Sequence, residues 1–133
     1  MANTITIKAG AIQVQAELNS TRTAKALLAI LPFKAKVNTW GDEIYFDVPL
    51  NMEIEDGREV VDMGDVAYWP DGPSLCLFFG RTPASRGHEI RAASPVTIVG
   101  RIIGDPKVLK AVRQGAEVTV EKVTPVVPPL RLG

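Results

Sequence analysis

Between Gly64 and Gly80 the chain reads GDVAYWPDGPSLCLFFG, and no other stretch constrains the fold as strongly. Two apolar runs, Val66 to Trp69 and Leu75 to Phe79, flank a Pro-Asp-Gly-Pro turn. Neither run alternates with polar residues, so both faces of each strand must be covered, unlike those of a half-wet edge strand. The runs predict two central strands of a closed or covered sheet. Four of the chain's eight aromatic residues fall in this stretch, so it holds half of the rings from which a core or a pocket can be built.

A chain of 133 residues makes one domain and can bury a core without disulfides or a structural metal. Fifteen basic and fifteen acidic side chains cancel, which removes the bulk electrostatic reason to expect nucleic-acid or anionic-membrane binding. Cys76 is the only cysteine and sits in the most apolar segment, where it reads as a small buried hydrophobe in a reducing cytoplasm. The opening MANTITIKAG lacks the basic start and apolar stretch of a signal peptide. No apolar run approaches the roughly 20 residues that span a bilayer. A soluble cytoplasmic protein is expected.

Ile5 and Ile7 alternate with polar residues, as do Ile12, Val14, Ala16 and Leu18 beyond Ala9-Gly10-Ala11, predicting an opening β-hairpin. Asn19, Ser20 and Thr21 are candidate N-caps of a short helix with Ala24, Leu27, Leu28 and Leu31 on one face, stopped at Pro32. Phe33, Ala35 and Val37 alternate with lysines. Trp40-Gly41-Asp42 reads as a turn, and Glu43 to Val48 as a strand with Ile44, Phe46 and Val48 on one face. The acidic stretch Met52 to Met63 contains Asp56-Gly57, a hairpin-turn signal. Arg81 to Ser94 reads as a polar loop, and Val96 to Ile103 as a strand dense in β-branched residues. Asp105-Pro106 opens a second helix, striped by Val108, Leu109 and Val112 and ended by Gly115. A last strand alternates through Glu117 to Glu121. Residues 124–133 hold three prolines and form an extended tail outside the domain 1–123. Val126, Val127, Leu130 and Leu132 give the tail more apolar surface than a free segment needs. Disorder, an added edge strand and a dimer arm are the readings open to it; docking is the one expected, on its own domain or on a neighbour's, and the second would make a homo-oligomer.

About eight strands and two short helices make the fold mainly β, with too few helices for βαβ crossovers. A mostly antiparallel barrel with helices at its ends would bury both faces of the central pair. The order of elements, together with GDVAYWPDGPSLCLFFG and EIRAASPVTIVGRI, resembles the cyclophilins, and more closely the small prokaryotic cyclophilin-like proteins, whose function is unsettled. The resemblance runs from about Ile5 to Val123. It implies a closed eight-stranded barrel capped by two short helices. It also implies a ligand on the face formed by Tyr68, Trp69 and the strand Leu75 to Phe79.

The resemblance also implies peptidyl-prolyl isomerase chemistry, and here the chain departs from the pattern. Cyclophilins carry a Phe-His-Arg segment after the first helix, whereas FKAKVNTWGDEIYF offers Lys34 and Lys36 and no arginine. The tryptophan that the family places after its Phe-Phe strand is also missing, since none occurs from Arg81 to Arg91. Isomerisation crosses a barrier of about 18–20 kcal/mol by breaking amide resonance. A donor aimed at the twisted nitrogen acts mainly in the transition state, and a flexible lysine substitutes poorly for a fixed guanidinium. Arg81 or Arg101 would have to enter from another strand.

Other chemistries find thinner support. His88, the only histidine, has no partner suited to a general base or metal ligand, and pairing it with a buried Cys76 for thiol catalysis is disfavoured. The acidic residues from Glu53 to Asp65 lack the ladder of a calcium loop and read as a solvated hairpin. No phosphate-binding glycine loop or serine-hydrolase elbow is present, so no cofactor or metal is expected. The aromatics carry the sharper signal. Trp40 and Tyr45 flank one turn, and Tyr68 and Trp69 end a strand, all suited to a pocket rim. Tyr68, Trp69, Leu77 and Phe79 are the expected groove, with Arg81 placed to pair a ligand carboxylate. Core packing is the competing reading for the groove residues, and an exposed loop charge is the competing reading for Arg81.

The leading expectation is a cyclophilin-like domain that binds a small molecule or short peptide in a surface groove, without isomerase activity. The alternatives are a weak or unconventional prolyl isomerase and an assembly module whose groove takes a neighbouring chain.

Overall fold

Residues 3–123 are described by the computed structural model. They form ten strands: β1 (Asn3–Ala9), β2 (Ile12–Leu18), β3 (Phe33–Lys36), β4 (Asn38–Thr39), β5 (Glu43–Asp47), β6 (Arg58–Val61), β7 (Asp65–Trp69), β8 (Ser74–Phe78), β9 (Ile90–Ile103) and β10 (Glu117–Lys122). One α-helix, α1 (Arg22–Ala29), and one 3₁₀ helix (Pro106–Ala111) complete the set. The expected tail and its docking lie outside the described residues.

The predicted opening hairpin is present. β1 pairs with β2 from Asn3↔Leu18 to Ala9↔Ile12, and Gly10 turns the chain at φ 59°. Thr21 caps α1 by accepting from the Ala24 amide at 3.0 Å. The second helix also starts as expected, with Asp105 accepting from the Lys107 amide at 3.0 Å. It winds as a 3₁₀ helix, however, and this tighter turn breaks the anticipated stripe. Leu109 and Val112 are buried while Val108 stays 44% exposed.

Antiparallel ladders run in the order β3-β10-β1-β2-β9-β7-β8-β5-β4, and β6 pairs with β9 off this path. Two expectations are corrected here. The sheet has ten strands, not eight, and its hydrogen-bonded path is open, not closed. No ladder joins β3 to β4, yet Val37 alone separates them in sequence. Val37 explains the break. Its amide donates to Ala116 and its carbonyl accepts from Gly115 at 2.7 Å, ending the run along β10. Asn38 then pairs with Tyr45 of β5 on the other flank. The main helix and the 3₁₀ helix leave the fold mainly β.

The acidic stretch forms no hairpin of its own. Met52 to Gly57 contains no strand, and β6 pairs with Ile90–Val96 of the long strand β9. That pair lies over the outer face of the sheet and gives the central strands their second cover.

The two cores divide by the pleat. Val66 and Tyr68 of β7, Leu75 and Leu77 of β8, and Ile44 and Phe46 of β5 belong to the main core, with Ile5, Ile7, Leu27 and Val120. Ala67 of β7 and Cys76 and Phe78 of β8 point the other way, into a smaller core with Val61, Ile90, Ala92 and Val96. Both faces of β7 and β8 are thus buried, as their uninterrupted apolar runs require. No helix among the described residues is long and apolar enough to cross a membrane.

Candidate functional site

Where the smaller core reaches the surface it leaves a pocket of about 220 Å³, lined by Trp40, Glu43, Tyr45, Trp69, Cys76, Ala92, Ala93 and Val96. The pleat accounts for its membership. Tyr45 stands opposite Cys76, and Cys76 opposite Ala67, so the odd-numbered residues of β5 share the outer face with the smaller core. Glu43 and Tyr45 are therefore on the pocket side, while Ile44 and Phe46 pack in the main core. Trp40 arrives through a tight turn in which its amide donates to the Glu43 carbonyl at 2.9 Å and Gly41 adopts φ 61°.

Trp69 is held on three sides. Its indole Nε1–H donates to Ser94 Oγ at 2.6 Å, and Ser94 Oγ donates to Asp71 Oδ2 at 2.7 Å. Its ring stands nearly perpendicular to Tyr45, at 79° with centroids 6.2 Å apart, the favoured edge-to-face arrangement. On the third side lies Gly72, where a Cβ would come within 2.5 Å of Trp69 Cζ3. The turn Pro-Asp-Gly-Pro thus does more than reverse the chain: it supplies both an anchor and a seat for the indole.

Glu43 is the unusual group. It is only 5% exposed, and its carboxyl is pushed up to about 7 by burial, which a hydrogen bond with Cys76 only partly offsets. Cys76 is itself driven well above the ordinary thiol range, first by burial and then by the charge of Glu43 and the hydrogen bond to it. At neutral pH the pair therefore presents a carboxyl poised between its two states, beside a thiol that stays protonated.

A second, larger concavity of about 600 Å³ lies along β2 and β9, lined by residues that include Glu17, Glu55, Asp62, Asp65 and Arg101. Its charges are largely engaged with one another. Arg101 lies 3.6 Å from both Asp62 and Asp65, and Asp65 also accepts from the Asp62 amide at 2.8 Å. Burial raises the Asp65 carboxyl despite these partners. Glu55 accepts from the Arg22 and Thr23 amides and the Thr23 hydroxyl, all at 3.1–3.2 Å, capping α1 from a distant segment. Burial works to raise the Glu55 carboxyl, but those bonds and the Arg22 charge outweigh it and hold it below its ordinary value. The acidic stretch is therefore partly structural, not the solvated hairpin expected.

The five expected binding residues are not brought together. Tyr68, Leu77 and Phe79 lie in the main core, at 1%, 0% and 4% exposure. The Tyr68 hydroxyl is spent internally, donating to the Leu50 carbonyl at 2.7 Å and accepting from the Met52 amide at 3.1 Å. Trp69 alone lines the aromatic pocket. Arg81 is exposed and donates to the Ser85 carbonyl at 3.4 Å. Glu43 escaped sequence reasoning because a single acid at the start of a strand looks exposed. The available signal was its register with Tyr45 and Cys76, on a face that the central pair had already declared buried.

The family model for cyclophilin-like proteins matches residues 3–121. This chain belongs to the cyclophilin-like family. The solution structure of the hypothetical protein AF2241 from Archaeoglobus fulgidus is similar, with 39% identity, 92% of this chain and 95% of that chain covered, and a TM-score of 0.79. No curated protein matches the chain. Within this cyclophilin-like chain, Lys34 and Lys36 are exposed on β3 and line neither concavity. Arg101 lies in the acidic concavity, and neither it nor Arg81 lines the aromatic pocket.

Proposed function

We propose that this cyclophilin-like domain is a binding module whose site is the pocket of Trp40, Tyr45 and Trp69, and that it does not catalyse prolyl isomerisation. One observation carries the reading: a pocket walled by three aromatic rings, with Trp69 pinned among them, contains a buried carboxyl with a weak donor, the Cys76 thiol, as its polar side-chain partner. Apolar walls supply affinity, and one ionisable group supplies orientation and specificity. The fixed indole lowers the ordering cost of binding. At about 220 Å³ the pocket is smaller than most sites for drug-sized ligands, so it suits a compact molecule or the head of a larger one.

Among the described residues no guanidinium lines the pocket, which supports the second half of the proposal, because prolyl isomerisation depends on a donor aimed at the prolyl nitrogen. A protease-free assay on a cis-enriched prolyl peptide tests it, since uncatalysed isomerisation takes about 10–100 s and even weak acceleration is visible. No acceleration is expected. Acceleration abolished by Arg81→Ala or Arg101→Ala would refute the reading and name the donor.

A further inference from the structure

We infer that the aromatic pocket takes a small organic cation, an alkylated ammonium head, with Glu43 as its counter-ion; this rests on the reading of that pocket as the ligand site. The lining sets the sign of the ligand's charge. Among the described residues eight line the pocket; Glu43 is the acid of the set, and none of the eight is lysine, arginine or histidine. An anion entering would meet a buried carboxylate whose side-chain donor is the weak Cys76 thiol, whereas a cation supplies the opposite charge that a neutral thiol cannot.

The walls agree with that sign. Tryptophan and tyrosine rings carry negative faces that attract ammonium groups, most strongly where water is excluded. Tyr45 and Trp69 stand at 79° to each other, so the pair turns differently oriented ring surfaces toward its surroundings. Ala92, Ala93 and Val96 close the remainder with small apolar groups, suited to methyl or methylene substituents on the nitrogen. A bare ammonium, with N–H groups that each need an acceptor, suits these walls less well, because the lining side chains offer one carboxylate, a thiol and the Tyr45 hydroxyl. The volume fits a headgroup: about 220 Å³ equals the liquid volume of roughly seven waters.

Among the described residues, few titratable groups surround Glu43. Cys76 faces it from β8, Tyr45 shares its strand, and the β9 side contributes alanines and a valine. Glu43 therefore governs the pH dependence. Its carboxyl ionises around pH 7, so the cation is held more tightly above that value and is released below it.

The test uses the chain's two tryptophans, both of which line the pocket, so indole emission reports its occupancy. The full chain is titrated with choline and with its neutral isostere 3,3-dimethylbutan-1-ol, at pH 6 and pH 8. Choline is expected to bind at least about tenfold more tightly than the isostere, and about tenfold more tightly at pH 8 than at pH 6. Glu43→Gln, checked for folding by circular dichroism, should remove both differences. Equal binding of the two probes at both pH values would overturn the cation and leave the pocket as an apolar ligand site. Failure of both probes to perturb emission or NMR shifts would overturn the site as well. Acetyl-trimethyllysine amide forms a further arm. Tighter binding than choline would place the cation on a protein side chain, and equal or weaker binding would make it a free molecule.

Discussion

Replacing Glu43 with glutamine should make the protein more stable at mildly alkaline pH and flatten its dependence on pH. The carboxyl is 5% exposed and ionises at about 7, against an ordinary value of 4.5. Below pH 4.5 it is protonated in both the folded and unfolded chains, and no stability is lost. Between pH 4.5 and 7 the folded chain keeps a proton that the unfolded chain releases, so each rise in pH favours unfolding. Above pH 7 both are ionised and the loss is complete. At about 1.4 kcal/mol for each tenfold displacement, the total is roughly 3 kcal/mol. For a domain of this length that corresponds to about 10 °C in Tm. Urea unfolding of both proteins at a series of pH values from 5 to 8 measures it. Wild type should lose about 2.5 kcal/mol more than Glu43→Gln across this range, most of the total. Asp65, also raised by burial, adds to the slope of both proteins, so the difference between them isolates Glu43. Parallel stability curves for the two proteins would refute the argument, because the buried carboxyl would then have titrated as an exposed one.

Other expectations test the surrounding parts. Gly72→Ala places a methyl 2.5 Å from Trp69 Cζ3, so it should displace the indole, change tryptophan emission and weaken ligand binding, with about 1–3 kcal/mol of destabilisation in urea melts. Thr21→Ala removes the acceptor for the Ala24 amide and should cost about 1 kcal/mol by the same measurement. Glu89 is held down to about 2 chiefly by the Gly87 and Arg86 amides, so it adds stability above its ordinary 4.5 that is lost as pH falls toward 2; Glu89→Gln should shallow the acid limb of the stability curve. Gly100→Ala would bring a Cβ within 2.5 Å of the Glu17 carbonyl, and the β2–β9 contact should loosen enough to lower Tm measurably.

Much of the fold was legible because its signals are local. The period-two runs flanking Gly10, the Thr21 cap before Leu27, and the doubly apolar strands β7 and β8 each depend on a few adjacent residues, and each is present. What escaped depends on partners far apart in sequence. Asp56-Gly57 promised a hairpin, but Arg58–Val61 pairs instead with the start of β9, more than 25 residues away. Likewise Glu55 looked solvated until α1 placed two amides beside it. Among the aromatic residues expected to line one groove, the pleat divides the set. Tyr68 and Trp69 are adjacent in sequence and face opposite cores, so only Trp69 reaches the pocket. A choice between faces needed the cover supplied by β6 and β9, which the local pattern did not contain.

The sheet's path ends in β3 and β4, strands of four and two residues carried on one stretch of chain with Val37 at its centre. Long unpaired edges are templates for the addition of foreign strands and for aggregation. Here both ends of the path are short, and one pair of hydrogen bonds around Val37 sets where each begins. An incoming strand finds little backbone to copy, which favours recognition through side chains over strand addition. The same economy concentrates risk. A glycine insertion beside Val37 would loosen both ends together, and aggregation, more than loss of any single contact, should be its first symptom.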